Sequence, residues 1–561
     1  MSSAIDPLVS RGVLASVVIA VVARFLAQAY QHRSRVRSLK AQGLPILPHS
    51  LFFGHLPILA DFQRAHPPDV NIHVFHTWLS DNCTRYFPGR DYPPPVVYLD
   101  LWPVTTSLAI VNDPGVASQF TVVKNLPKVG IVKQYIEPLT SKIDIFCAEG
   151  ALWKTWRTKL NPVFSKRNLM TLAPELIEEV TVFANNLRNM AGEQGKWGPV
   201  FCFEKRTIDL TFDVICRAVL DMRLHEQSRD SNGPLKSALM DQLRLMGIIT
   251  NAARGKIFGR MPWDTTAVNH NNRIMHAILL SQIKAKFEEN MGNSQTRTII
   301  DTVADSFGNR KTDSLDTPHE SVNILIANLK MFLFAGHDTT SSTICFMAKL
   351  LHDNPKCLAK LRQEHDDVFG PDPDEAARIL AASPHLLSAL PYTLGVIKET
   401  LRLYPQAATI REAPHGFCLT DNSSTQYPVG GFGLWLSAPS IHYNPHHWPR
   451  AEEFLPERWV VSDGDPLHPP QNAFVPFSLG PRTCIGIELA MMELKLVSVL
   501  IFRTFDIREA WEEWDEQRGS KATPSHVVNG ERLYRVGIST VHPKDGMPVN
   551  IRLRTTSLGT I

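Results

Sequence analysis

Ten residues near the C-terminal end constrain this chain more than any other feature: Phe477-Ser-Leu-Gly480-Pro-Arg482-Thr-Cys484-Ile-Gly486. One cysteine stands between two glycines, an arginine precedes it by two residues, and an apolar helical pattern follows. A thiolate is a strong, soft ligand for haem iron and donates electron density that favours O–O cleavage. Ligating a flat macrocycle brings the backbone close to it, which glycine permits because it has no Cβ and tolerates positive φ. A helix starting just after Cys484 aims its free N–H groups at the sulfur and stabilises negative charge there. Arg482 is spaced to meet a haem propionate as a charge-assisted pair. The competing reading is a buried cysteine in a glycine-rich turn, with no ligand role.

The segment resembles the haem-binding signature of the cytochromes P-450, the haem-thiolate monooxygenases, and specifically their microsomal members. The resemblance implies a mainly α fold with a small β-sheet region. It also implies a haem b embedded between a long core helix and a Cys-bearing loop and helix. The iron would be ligated by Cys484, with Phe477, Arg482 and Gly486 against the cofactor.

Further motifs follow the same order as in that family. Ala335-Gly336-His337-Asp338-Thr339-Thr340 lies inside an apolar stretch from about Val322 to Leu351, which predicts a buried helix crossing the core. An acid beside a hydroxyl in such a helix is costly unless it serves hydrogen bonding or proton transfer. By resemblance, Ala335 and Gly336 let the helix lie against the haem, and Asp338 and Thr339 deliver protons as dioxygen is reduced. Glu399-Thr-Leu-Arg402 puts an acid and a base three apart on one helix face. With Arg458 of Pro456-Glu-Arg-Trp459 they match a Glu–Arg–Arg network that holds the cysteine loop, a structural role. Trp153 and Arg157, one helical turn apart, match a pair that hydrogen-bonds a haem propionate. Arg411 matches a second propionate contact.

The 561 residues would suggest several domains by length alone, but these motifs run from about residue 146 to 486 without a linker. The expected organisation is an anchor over residues 1–31, a basic and proline-rich hinge over 32–55, and one haem-thiolate domain over 56–561. With 58 Lys and Arg against 55 Asp and Glu, the charge balance gives no reason to expect nucleic acid binding. The eight cysteines are scattered, form no C-x-x-C pair, and fit a reducing compartment.

Gly12 to Ala23 is an uncharged run of twelve, followed by Arg24 and then Phe25-Leu-Ala-Gln-Ala-Tyr30. This is short of the ~18 to 20 apolar residues a spanning helix wants, unless Arg24 snorkels to the interface. A cleaved signal peptide is the alternative. The basic cluster Arg33, Arg35, Arg37 and Lys40 lies C-terminal to the run and favours a domain that stays cytosolic. Gly43-Leu-Pro45-Ile-Leu-Pro48 resembles the hinge of microsomal members, so a single-pass endoplasmic reticulum anchor is expected.

Elsewhere the pattern predicts strands over 96–111, helices over 153–290, a loop over 292–319, strands over 405–440 and a turn-rich tail over 508–561. Asp545-Gly-Met-Pro548 in that tail resembles fungal secondary-metabolism members. The implied activity is oxidation of an apolar small molecule, such as a polyketide or terpenoid, with O2 and electrons from an NADPH-dependent reductase. Cytochrome b5 is a second donor consistent with the family. The alternatives are a fatty-acyl hydroxylase, a haem-thiolate isomerase or dehydratase needing no reductase, and a haem-binding sensor.

Overall fold

One helix organises the molecule. In this computed structural model, which describes residues 7–250, 261–289, 298–301, 318–519 and 526–554, the core helix runs Pro318–Asp353. Leu325, Leu329, Leu333, Ile344 and Met347 are all inaccessible to solvent. A helix apolar on every side is stable only where protein surrounds it. The helix Phe203–Leu220 packs along it. Thr211 Oγ1 donates to the His337 carbonyl at 2.9 Å and Thr207 Oγ1 to the Ser341 carbonyl at 3.3 Å. Gly336 permits the approach: a Cβ there would come within 2.7 Å of Ile215.

The main sheet lies beside this helical body. Val96–Leu99 pairs antiparallel with Leu108–Val111, which pairs parallel with Gly433–Leu436, which pairs antiparallel with Thr409–Glu412. The first three strands are buried along their whole length, which their Val, Ile and Leu content suits. The strands expected over 96–111 and 405–440 are therefore present. The loop expected over 292–319 falls mostly outside the described residues; within it, residues 299–301 are helical and Pro318 already opens the core helix.

The tail departs from expectation. Pro548–Leu553 pairs antiparallel with Phe505–Glu509 on one side and with Phe201–Cys202 on the other. Between them lie a helix, Trp511–Arg518, and a short ladder joining Arg535–Val536 to His542–Pro543. The signal was a two-residue alternation: Phe505 and Ile507 face inward on one strand, Val549 and Ile551 on the other. It is too short to stand out among the turn residues around it.

At the other end, a helix runs unbroken from Pro7 to Ala41. Arg24 does not interrupt it, and Leu14–Ala41 is long and apolar enough to cross a membrane, with a mean hydropathy of 1.5 in its best window. Leu14, Val17, Val18, Ile19, Val21, Val22 and Leu26 are exposed along its free part. The same helix then enters the protein. Arg33, buried, pairs with buried Asp100 at 2.5 Å and donates to the Trp102 carbonyl at 2.8 Å. The Arg35 guanidinium sits 4.0 Å from the Phe432 ring centroid. This geometry fixes where the free segment leaves the body.

Removing one partner of a buried ion pair strands the other, at a cost of about 3–5 kcal/mol. Arg33→Ala should therefore lower the thermal midpoint clearly, because it leaves the Asp100 carboxylate with only His49 at 3.0 Å. Differential scanning fluorimetry of the detergent-solubilised protein checks this. Arg33→Ala with an unchanged midpoint would mean the docked end of the helix adds nothing to stability.

Candidate active site

The cysteine turn is held by its own backbone. The Cys484 N–H and the Thr483 hydroxyl both donate to the Phe477 carbonyl, at 3.0 and 3.2 Å. Gly480 has φ of +75°, and a Cβ there would lie 2.4 Å from the Thr121 carbonyl oxygen, so only glycine fits. Gly486 has φ of −87° and caps the helix Ile487–Val497. Its Cβ would stand 3.9 Å from the Cys484 sulfur, so its bare backbone keeps the surface around the sulfur flat. Burial pushes the Cys484 thiol up, while the Gly486 N–H and the charges of Arg157 and Lys128 pull it back down.

The sulfur opens onto an interior cavity of about 290 Å³. Trp153, Arg157, Ala335, Gly336, Thr339, Phe477, Arg482, Cys484 and Gly486 all line it, as does Gln406–Thr409, the segment that follows the Glu399 helix. These residues come from four regions far apart in sequence. Most of the expected site residues therefore converge on one space. A larger groove on the surface, about 1300 Å³, shares none of them.

Cations gather at one end of the cavity. The Arg482 guanidinium lies 4.6 Å from the Trp153 ring centroid and pairs with Glu149. Arg411 stands behind the rim, fully buried, donating through Nη1 to the Leu126 carbonyl at 3.1 Å. Burial and the neighbouring Arg482 charge push it down to about 10. Arg411 Nε and Nη2 and Arg482 Nε and Nη1 are buried donors with no hydrogen-bond partner. Lys128 completes the cluster and was not anticipated from the sequence. Burial and the charges of Arg411 and Arg482 push it down to about 7, against the opposing pull of Glu149. Its only trace is a lysine in the otherwise apolar run Leu126-Pro-Lys-Val129.

The acid and hydroxyl of the core helix part company. Thr339 faces the cavity and donates to the Ala335 carbonyl at 2.9 Å. Asp338 is buried on another face, with Oδ1 3.5 Å from His542 Nε2 and 3.9 Å from His337 Nε2.

Glu399, Arg402 and Arg458 are brought together and fully buried. Glu399 Oε1 accepts from Arg402 Nη2 at 2.7 Å and Arg458 Nε at 3.1 Å; Oε2 accepts from Arg402 Nε and Trp459 Nε1, both at 3.0 Å. Arg402 Nη1 also donates to the His442 carbonyl at 2.7 Å. His442, another unanticipated residue, hydrogen-bonds the Arg402 carbonyl through Nδ1 at 2.8 Å and accepts the Val475 N–H through Nε2 at 3.0 Å. Burial and the Arg402 charge hold it down at about 3, so it is neutral and links this network to the strand entering the cysteine turn.

A thiol beside an exposed N–H, a cluster of buried guanidinium donors without partners, and a cavity walled by a helix of small residues together fit a haem. The donors suit its two carboxylates and the thiol suits its iron. Fold and site thus define a haem-thiolate protein. The family model for cytochrome P450 matches residues 96–534. Cytochrome P450 monooxygenase polC of Polytolypa hystricis is 35% identical over 537 residues, 95% of this chain and 93% of that protein. Cytochrome P450 monooxygenase acrF of Aspergillus aculeatus is 29% identical over 479 residues, 81% of this chain and 93% of its own. Among solved structures, the haem domain of cytochrome P450DA superposes with a TM-score of 0.67 at 19% identity, covering 91% of this chain and 98% of its own. The chain belongs to the cytochrome P450 family, and it is a haem-thiolate monooxygenase related to fungal enzymes.

Glu399→Ala would leave two guanidiniums buried without their shared carboxylate, at about 3–5 kcal/mol. The variant should lose most of its folded yield, and what folds should bind haem poorly. Absorbance at the Soret band per milligram of purified protein measures this. A variant with full haem content and an unchanged thermal midpoint would remove the network from any role in holding the site.

Proposed function

We propose that this monooxygenase is membrane-anchored, draws electrons from an NADPH-dependent reductase, and oxidises an apolar small molecule of secondary metabolism, such as a polyketide or terpenoid. The observation that carries the reading is one cavity in which Cys484, the partnerless guanidinium donors of Arg482 and Thr339 all meet. The haem, when bound, supplies the reductive activation of O2 and the oxidation of a C–H bond.

The residues divide the remaining work. Cys484 supplies the thiolate, and Gly486 and Phe477 shape the surface around it. Arg157, Trp153, Arg482 and Arg411, joined by Lys128, hold the carboxylates. Ala335 and Gly336 leave a gap beside Thr339, whose hydroxyl holds a proton at the cavity wall, with Asp338 as the acid behind it. Glu399, Arg402 and Arg458 keep the cysteine turn in place. Ala407, Ala408 and Thr409 put small side chains on the cavity wall, which leaves space for a bulky apolar or ring-containing substrate. The retained Asp338–Thr339 pair argues against an isomerase or dehydratase that needs no protons from the protein. It equally argues against a haem sensor.

The free stretch of the N-terminal helix supports a single-pass anchor, and the basic residues after it support a cytosolic catalytic domain at the endoplasmic reticulum. In that organisation residues 1–31 form the anchor, 32–55 the hinge and 56–561 the catalytic domain. Lys154, Lys166 and Arg167 are exposed near the helix that follows Cys484, and the charge of Lys166 reaches Lys495 on that helix. This basic face suits an acidic reductase, and cytochrome b5 by the same logic. The fungal relatives and the Asp545-Gly-Met-Pro548 tail support secondary metabolism over fatty-acyl hydroxylation.

Two experiments test this reading. The reduced, CO-bound protein should show the strongly red-shifted Soret band of thiolate ligation, and Cys484→His should lose it. Survival of that band in the variant would place the ligand elsewhere. Second, the protein lacking residues 1–31 should still bind haem but be released from membranes by alkaline carbonate, whereas the full chain should need detergent. Carbonate release of the full chain would rule out a spanning anchor.

A further inference from the structure

The back of the core helix carries a cluster that the reading above leaves unused. His542, on the short strand His542–Pro543 of the tail, stands between two carboxylates from different helices. Its Nδ1 is 2.7 Å from Oε1 of Glu204, in the first turn of Phe203–Leu220. Its Nε2 is 3.5 Å from Asp338 Oδ1 and 3.2 Å from Thr540 Oγ1. The Ser342 hydroxyl donates to the same Glu204 oxygen at 3.2 Å. We infer that His542, oriented by Glu204, is the positioning residue that resupplies Asp338 with protons.

The geometry gives each ring nitrogen a separate task. Glu204 holds the Nδ1 proton, so the exchanging proton is the one on Nε2, which faces Asp338. After Asp338 has given up a proton, Oδ1 takes one from Nε2. The imidazole is left neutral with Nδ1–H still on Glu204, and regains a proton at Nε2 from water. His542 has the access this requires, with 26% of its side chain exposed. The second imidazole near Asp338 lacks it. His337 is fully buried, its Nδ1 hydrogen-bonds the Leu333 carbonyl at 2.6 Å, and burial pulls it below the ordinary range.

Electrostatics agree with the geometry. Burial pulls His542 down, but the Glu204 hydrogen bond and the charges of Asp338 and Glu204 outweigh it and raise it to about 9. His542 is then an imidazolium at neutral pH, with Glu204, Asp338 and neutral His337 as the titratable groups facing it. A histidine whose folded value lies above its ordinary 6.5 adds stability fully present below pH 6.5 and lost as pH rises through about 9.

The inference rests on the assignment of Asp338 as the acid, and the test separates the two. The full-length, haem-loaded enzyme is reconstituted with an NADPH-dependent reductase, and the ratio of water to peroxide formed per NADPH is measured without added substrate from pH 6 to 9.5. In the parent the ratio should hold through neutral pH and fall as pH passes about 9. In His542→Gln it should be lower by up to about tenfold at pH 7, less than the ~10²-fold cost of losing a direct proton donor, and should no longer fall near pH 9. Glu204→Gln should move the fall to lower pH. Thermal melting gives a second reading independent of turnover: the gap between parent and His542→Gln should be widest below pH 6.5 and close toward pH 9. A parent-like ratio and pH profile in both His542→Gln and Glu204→Gln, or a melting gap independent of pH, would make His542 a structural clamp and overturn the inference. Asp338→Asn then locates the failure. If it alone lowers the ratio, Asp338 stands as the acid and only the relay falls; if it too is unchanged, the assignment of Asp338 falls.

Discussion

The structure depends on one desolvated carboxylate. Glu399 has no access to solvent, and neither do the two arginines that converge on it together with the half-buried Trp459 indole. Taking such charges out of water costs several kcal/mol per ion, which is offset only when nearly every lone pair and proton finds a partner. Here the carboxylate accepts five hydrogen bonds, including the Leu455 N–H at 3.1 Å. The surplus donors of Arg402 and Arg458 reach the carbonyls of His442, Ala451, Glu453 and Arg450. A long irregular segment with little secondary structure of its own is thereby tied to one helix. Neutral His442 carries the constraint on to Val475, three residues short of Ser478 and its positive φ of 62°. The thiol is placed by this chain of contacts, not by the turn alone.

The cation cluster shows the same economy in reverse. Arg411, Arg482 and Lys128 crowd together in low dielectric, and both Arg411 and Lys128 are pushed down in consequence. Glu149 alone meets Arg482, Lys133 and the Lys128 N–H. Such a group of like charges lowers stability in itself and is retained where an anion is to be bound. The cavity therefore combines a cationic end with apolar and small-residue walls, an arrangement suited to an amphiphilic macrocycle rather than to a simple apolar ligand.

What the sequence revealed were features whose spacing is local. The Phe477–Gly486 turn, the polar patch inside the apolar core helix, and Glu399 with Arg402 one helical turn on each carry their geometry within a few residues. Lys128, Glu149, His442, Glu204 and His542 carry none, because each acquires meaning only from a partner dozens to hundreds of positions away. The two tail strands were hidden for a different reason: a period-two pattern over five or six residues cannot be told from chance beside glycines and prolines. The N-terminal helix was underestimated because the uncharged run was counted to Arg24. Backbone hydrogen bonding does not stop at a charge, and Arg24 sits within an unbroken helix that only ends near Gly43, where φ is +83°.

The core helix finally explains why the tail belongs to the catalytic unit. Residues three or four apart share a face. Ala335, Gly336, Thr339, Thr340 and Thr343 therefore look into the cavity, while His337, Asp338, Ser341 and Ser342 look toward the Phe203–Leu220 helix and the tail. Thr207 and Thr211 donate to helix carbonyls on that second face, and Glu204 accepts from Ser342. His542, at the edge of this group, keeps 26% of its side chain exposed. Asp338 is the carboxylate that this helix presents on the tail face, one residue from Thr339 on the cavity face. The apolar stretch that makes the helix a stable core element thus leaves its few polar side chains divided between two faces, one met by the cavity and the other by the tail.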